Sequence, residues 1–227
     1  MKVKLVSYSQ PSKLFFDQGL EDAQDLIAYC ARVSNPANQF NTETSEKLIN
    51  YLVKHAHWSP LEMVSACLEI ETTRDIARQI LRHRSFSFQE FSQRYADPTK
   101  DLDFVLRECR LQDTKNRQNS VDVIGDTEDN RFLIAEWERR QQEVIDLVKE
   151  HYTWAVGAGI AKEQSRAMLP EGNTVSRMYM NGTLRSWIHF IQVRSGNGTQ
   201  KENIAIAYAA AKVISEIFPM AGSFVSQ

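Results

Sequence analysis

Hydrophobic positions along the chain switch between two spacings, and each switch marks an element. Val3 and Leu5, two apart, predict a short strand at the start. Beyond Pro11, Leu20, Ala23, Leu26, Ile27 and Cys30 fall at helical spacing. A second helix is predicted from about Thr44, a candidate N-cap with Glu46 in the first turn, through Leu48, Tyr51, Leu52 and His55; it ends before Trp58-Ser59-Pro60. From 63 to 71 the apolar residues Val64, Ala66, Leu68 and Ile70 alternate with Ser65, Cys67, Glu69 and Glu71, the pattern of a half-buried strand. Thr72 and Thr73 then stand where they would cap a short helix with Ile76, Ile80 and Leu81 on its apolar side.

Between 95 and 130 the periodicity fails. Nine acids, five bases and few apolar anchors predict an irregular polar excursion at about 96–130, a length that implies a functional segment, disorder or ordering by a partner chain. From 131 to 152 an amphipathic helix returns, with Leu133, Trp137, Val144, Ile145, Leu147 and Val148. A short helix leads to Leu169-Pro170. An alternating stretch at 174–180 precedes a predicted turn at Asn181-Gly182 and a helix whose apolar face is Leu184, Trp187, Ile188 and Ile191. The last helix is predicted from about 201 to 217. No repeat or linker divides residues 1–227, so the pattern reads as one α+β domain.

At 227 residues, 42% hydrophobic and 25% charged, the chain can bury a core and is not a disordered tail. Its three cysteines, Cys30, Cys67 and Cys109, are scattered and form no CxxC pair, which excludes a disulfide framework and points to a reducing, cytoplasmic setting. The start carries no signal-peptide core, and the longest apolar run, 204–211, is far short of a membrane span. The net charge of −2 lacks the basic excess of a general nucleic-acid coat.

One region departs from that average. Residues 74–94 hold Arg74, Arg78, Arg82, Arg84 and Arg94 against Asp75 and Glu90, a local charge of +3 that leaves the remainder at −5. Arg74, Arg78 and Arg82 recur every fourth residue, so on a helix they form one stripe and repel one another unless an anion lies against them. A charge run usually coats a solvated surface. Here it continues into Arg82-His83-Arg84-Ser85-Phe86-Ser87-Phe88-Gln89-Glu90-Phe91-Ser92-Gln93-Arg94-Tyr95, where forked donors alternate with aromatics and hydroxyls, a mixture suited to a phosphate and a stacked ring. A second set, Arg166, Arg177, Arg185 and Arg194, lies downstream, and the two sets suggest one composite anion site. The nine glycines form neither GxGxxG nor a P-loop, which excludes Rossmann and Walker sites; Gly157-Ala158-Gly159 and Gly196-Asn197-Gly198 read as turns or helix contacts. His55 and His57 lack thiolate or carboxylate companions, so they read as a helix end and no metal site is expected. Ser92 lacks a nucleophile elbow and a base at fixed spacing, and no cysteine sits in an activating motif.

The string from Arg82 to Ser92 resembles the RHR-x7-S signature of the flavin-dependent thymidylate synthases, and Arg94-Tyr95 completes an SxRY ending. Further pieces resemble that family in order: Ala31-Arg32-Val33-Ser34, His57-Trp58-Ser59-Pro60, Arg166-Ala167-Met168-Leu169-Pro170, and Thr183-Leu184-Arg185-Ser186-Trp187-Ile188-His189-Phe190 leading to Arg194. The resemblance covers about residues 3–218. Gln89 stands where Asn is frequent, and Leu61-Glu62-Met63 replaces a common Phe-Glu-His, which removes any role for a histidine at 63.

The resemblance implies a mixed α/β domain with a central sheet flanked by helices, assembled as a homotetramer with active sites shared between subunits. It implies a methyltransferase that converts dUMP to dTMP with methylenetetrahydrofolate as one-carbon donor and NADPH as reductant, through bound FAD and without a protein nucleophile. On its terms Gln79, Arg82, Glu90, Ser92, Arg94, Arg166 and Arg194 hold dUMP, with Arg194 the activating, catalytic residue. His57, Ser59, Arg82, His83, Arg84, Glu90, Thr183, Arg185 and His189 surround FAD, and Asn181 is the alternative to Thr183. Carbon 5 of uracil is a poor nucleophile, so donors aimed at the ring carbonyls and N3 stabilise the charge it must develop. Two other readings compete. One is an RNA-binding module that stacks bases on Phe86, Phe88 and Phe91, which the acidic whole disfavours. The other is a structural protein whose arginines pair with the acidic 97–129 segment across a subunit contact.

Overall fold

The computed structural model describes residues 1–196 and 198–225; Asn197, part of the glycine-flanked turn expected at 196–198, lies outside them. The chain opens with strand β1 (Lys2–Tyr8), one helical turn α1 (Lys13–Phe16), and helices α2 (Ala23–Ala31) and α3 (Ser45–Lys54). Strand β2 (Ser65–Thr73) runs without a loop into α4 (Arg74–Ile80), and β3 (Ser87–Glu90) follows. A helical turn α5 (Pro98–Asp101) and strands β4 (Arg110–Gln112) and β5 (Ser120–Asp122) lead to the long α6 (Glu128–Gly157) and the short α7 (Lys162–Ser165). Strand β6 (Val175–Thr183) again passes directly into a helix, α8 (Leu184–Ser195), and α9 (Lys201–Ile214) comes last before a 3-10 stretch.

The main sheet has the order β1-β2-β6-β3 with every neighbouring pair antiparallel, and β4 and β5 form a separate hairpin. This is a mixed α/β fold with an antiparallel sheet. Alternation along β2 puts Ala66, Leu68 and Ile70 on the buried face, where they meet Met178 and Met180 of β6 and the apolar sides of α4, α8 and α9. Trp187 is fully buried there, and its indole N–H donates to the Ala66 carbonyl at 2.9 Å, so the largest core side chain leaves no polar atom unpaired. The outward face carries a polar ladder: Lys4 lies 3.3 Å from Glu69, Tyr179 donates to Glu69 at 3.1 Å, and Arg177 pairs with Glu71 at 2.8 Å.

The fold departs from the sequence pattern at four places. Asn181-Gly182 is no turn, because β6 runs straight through both residues. A Cβ on Gly182 would lie 2.4 Å from Cδ1 of Phe86, so the glycine clears space for a ring rather than bending the chain. The excursion at 96–130 contains α5 and the β4–β5 hairpin, pinned by Arg107, which donates to Asp75 at 2.6 Å and to the Gly172 carbonyl at 2.7 Å. The arginine stripe stops early: α4 ends at Ile80, so Arg82 leaves the row of Arg74 and Arg78. Finally, Thr44 and Thr73 do precede α3 and α4, but neither side chain caps: the Thr44 hydroxyl accepts from Arg32 at 2.8 Å, and the Thr73 hydroxyl donates to the Asp75 carboxylate.

Candidate active site

Two strand-to-helix junctions place the chemistry. In the β2/β6 register Thr73 faces Val175 and Ser65 faces Thr183, so α4 and α8 start at opposite ends of the same sheet. A helix of 12 residues spans roughly 18 Å, and α8 uses that length to bring its last turn back to α4. There Arg194 donates from Nε to Nε2 of His83 at 2.8 Å and from Nη2 to the Gln79 carbonyl at 3.2 Å. Burial and the neighbouring Arg82 cation lower the pKa of Arg194. Burial, then the charges of Arg194, His189 and Arg82, push the imidazole of His83 down to about 4.

One cleft of about 410 Å³ opens at the start of α8, lined by Trp58, Glu62, Ser85, Arg185, Ser186 and His189 among others. The 3-10 turn Ser59–Glu62 supplies its far wall, and Arg185 pairs with Glu62 across it. Thr183 caps α8 by accepting from the Ser186 N–H at 3.3 Å, which spends its hydroxyl on the helix; Asn181 is exposed. His57 is exposed just before this turn and Ser59 is exposed within it. A second cleft, of about 510 Å³, lies on the outer side of α4 between Arg74, Arg78, Gln93, Arg166 and Glu171.

The second cleft explains how the arginine row is tolerated. Arg78 donates from Nε to Glu171 at 2.7 Å, and Arg74 lies 3.5 Å from Glu90, whose carboxylate also accepts from the buried Ser176 hydroxyl at 2.7 Å. Arg94 pairs with Glu163 on the rim at 3.2 Å. Arg82, Arg84 and Arg166 are exposed and have no carboxylate partner among the described residues. Ser92 is exposed next to Arg94, and no hydrogen bond of its hydroxyl is present among the described residues. Within one chain, then, Arg166 sits with the α4 arginines, while Arg194 sits with Gln79 and His83 and lines neither cleft.

Arg74 and Arg78 join Arg166 in the second cleft although the resemblance assigns them no role; their fourfold spacing was the available signal. The competing readings lose ground here. Phe86 is buried edge-on against Trp187 at 4.8 Å and is no platform for a base. The carboxylates that meet Arg74, Arg78 and Arg94 come from Glu90, Glu171 and Glu163, not from the 97–129 segment. Burial raises the thiol pKa of Cys30 and Cys67, the reverse of what an activated nucleophile needs. Among the described residues no cluster of His, Cys, Asp and Glu could hold a metal, and no helix is long and apolar enough to cross a membrane.

Comparison with known proteins places the chain in a family. Residues 16–220 match the family described as thymidylate synthase complementing protein. The chain is 44% identical over 219 residues to a probable flavin-dependent thymidylate synthase of Paramecium bursaria Chlorella virus 1, covering 96% of each protein. It is 46% identical over 222 residues to the flavin-dependent thymidylate synthase of Synechocystis sp., again covering 96% of each. A solved UMP/dUMP methylase from Streptomyces cacaoi, bound with 5-Br dUMP, shares the fold with a TM-score of 0.75 over 98% of this chain and 93% of that one, at 22% identity. The chain belongs to the family of flavin-dependent thymidylate synthases.

Proposed function

We propose that this chain methylates dUMP to dTMP with bound FAD, methylenetetrahydrofolate and NADPH, acting as a homotetramer. The observation that carries the reading is the meeting of Arg194, Gln79 and His83 in a chain that also holds two arginine-bearing clefts. Held by Nε and Nη2, the Arg194 guanidinium keeps Nη1 unengaged among the described residues, a donor for a pyrimidine carbonyl whose oxygen gains charge as carbon 5 attacks. Arg166, without a carboxylate partner among the described residues, offers a phosphate a cation that no glycine loop supplies, beside Arg74 and Arg78, which are paired with Glu90 and Glu171.

The cleft at the start of α8 fits a flavin nucleotide in kind: Trp58 and His189 are flat partners for a ring, and Arg185 is a cation for a diphosphate. When bound there, FAD would supply the electron pair that turns a methylene into a methyl group. Ser92 and Arg94 for dUMP, His57, Ser59, Arg84 and Thr183 for FAD, and Arg82 and Glu90 for both complete the residues assigned to the two ligands. Assembly is supported by α6, whose side chains Phe132, Val144, Leu147 and Trp154 stay exposed in one chain, a stripe that a second copy would cover. That Arg166 lines the second cleft while Arg194 does not is what a site completed by a neighbouring subunit would show.

Purified protein is expected to be yellow, with a flavin absorbance band that shifts on addition of dUMP, and to release dTMP when the folate and NADPH are supplied. A protein that FAD does not tint, or a flavoprotein indifferent to dUMP, would overturn the reading.

A further inference from the structure

We infer that Gln200 and Asn203, in and beside the first turn of α9, are positioning residues that fix the side-chain amide of Gln79 and thereby the donor and acceptor it presents to the nucleotide. The inference rests on the nucleotide reading above, which places Gln79 at dUMP. Both ends of that amide are held: Nε2 of Gln79 donates to Oε1 of Gln200 at 2.8 Å, and Nδ2 of Asn203 donates to Oε1 of Gln79 at 3.2 Å. Turning the Gln79 amide over alone would set oxygen against oxygen at Gln200 and N–H against N–H at Asn203. The pair therefore selects one of two orientations that a free glutamine would share. One N–H and one lone pair of Gln79 are left for a ligand.

Asn203 is placed at a cost to the fold. It is 0% exposed, it shares α9 with the buried Ile206, Ala207 and Ala210, and its Oδ1 has no hydrogen-bond partner among the described residues. A half-satisfied buried amide is less stable than an apolar side chain of similar size, so stability alone does not account for it. Its remaining N–H contact leads to Gln79, and the Gln79 carbonyl leads on to Arg194.

The turn that carries these residues is itself anchored. Glu202 accepts from Arg110 and lies 3.2 Å from Arg107, while Lys201 lies 2.9 Å from both Glu108 and Asp122. The β4–β5 hairpin thus clamps the start of α9 against α4, and Gln200 and Asn203 transmit that position to Gln79.

The test is a dUMP titration of the FAD-bound enzyme, followed by flavin absorbance, with Asn203→Ala, Gln200→Ala, Gln79→Ala and the double variants on Gln79→Ala. Asn203→Ala and Gln200→Ala are each expected to weaken dUMP binding about three- to tenfold with FAD content unchanged, the range of one neutral hydrogen bond. Neither is expected to add to the loss already caused by Gln79→Ala. Should Asn203→Ala not fold, Gln200→Ala, at a half-buried position, carries the same comparison. Wild-type affinity in both single variants, or losses that add fully to that of Gln79→Ala, would overturn the brace while leaving dUMP binding intact. A wild-type flavoprotein that ignores dUMP would overturn the function reading itself.

Discussion

Arg194 and His83 form a hydrogen bond of defined polarity: the guanidinium Nε donates and the imidazole Nε2 accepts across 2.8 Å. An acceptor nitrogen on histidine requires the neutral ring with its proton on Nδ1. The ring is held edge-on by Phe190 at 5.1 Å and Phe86 at 6.4 Å, so the acceptor cannot swing away. His83→Leu is expected to lower kcat/KM for dTMP formation by about 2 kcal/mol, the scale of a hydrogen bond to a charged group. His83→Gln, which keeps a neutral acceptor, should recover most of it. Equal losses in steady-state assays of the two variants would show that the acceptor is not what matters.

The same burial makes stability pH-dependent, and the sign follows from the direction of the shift. His83 titrates at about 4 in the folded chain against an ordinary 6.5. Between those values the unfolded chain binds the proton and the folded chain does not, so protonation favours unfolding. The contribution is whole above about pH 6.5 and is lost as pH falls toward 4. Denaturant midpoints are expected to drop from pH 7 to pH 5, and less steeply in His83→Gln; an unchanged slope in that variant would assign the effect to other groups.

Removing the guanidinium tests the chemistry itself. Arg194→Ala should cost roughly 3 kcal/mol or more of transition-state stabilisation, by comparison with single oxyanion donors, while the protein stays yellow because Arg194 lines neither cleft. Ser92→Ala should weaken dUMP binding and leave residual turnover if its exposed hydroxyl serves as a hydrogen-bond donor and not as a nucleophile. Undiminished turnover in the first variant, or a covalent serine adduct trapped in the wild type, would contradict these roles.

Period and spacing made β2, α4 and α8 readable because each buries one face of a regular element, as Leu68, Ile76 and Trp187 show. What failed to show in the sequence depends on contacts between distant residues. Asn181-Gly182 carries turn chemistry, yet a ring 96 positions away sets its conformation. The hairpin at 110–122 has two strands of three residues and little apolar content, and it is held by Arg107 and Arg110 reaching α4 and α9. The site followed the same division. Local motifs pointed to Arg82, His83, Arg166 and Arg194, but not that Arg166 shares a cleft with Arg74 and Arg78 while Arg194 bonds His83, nor that Gln200 and Asn203 stand behind Gln79.

Gly182 offers the sharpest check of that long-range packing. A methyl group there would lie 2.4 Å from Cδ1 and 2.6 Å from Cε1 of Phe86. The ring cannot easily retreat, since Trp187 packs against it at 4.8 Å and Phe190 at 6.2 Å. Gly182→Ala is therefore expected to destabilise the fold by about 1–3 kcal/mol through overpacking, measured as a lower denaturant midpoint. Phe86→Leu introduced beside it should return part of the loss. The displacement also reaches the α8 cleft, because Ser85 lines it and its carbonyl accepts from the Ser186 hydroxyl at 3.3 Å. FAD retention should then fall along with stability in Gly182→Ala. A variant with the wild-type midpoint would mean that Phe86 is not wedged as the ring contacts require.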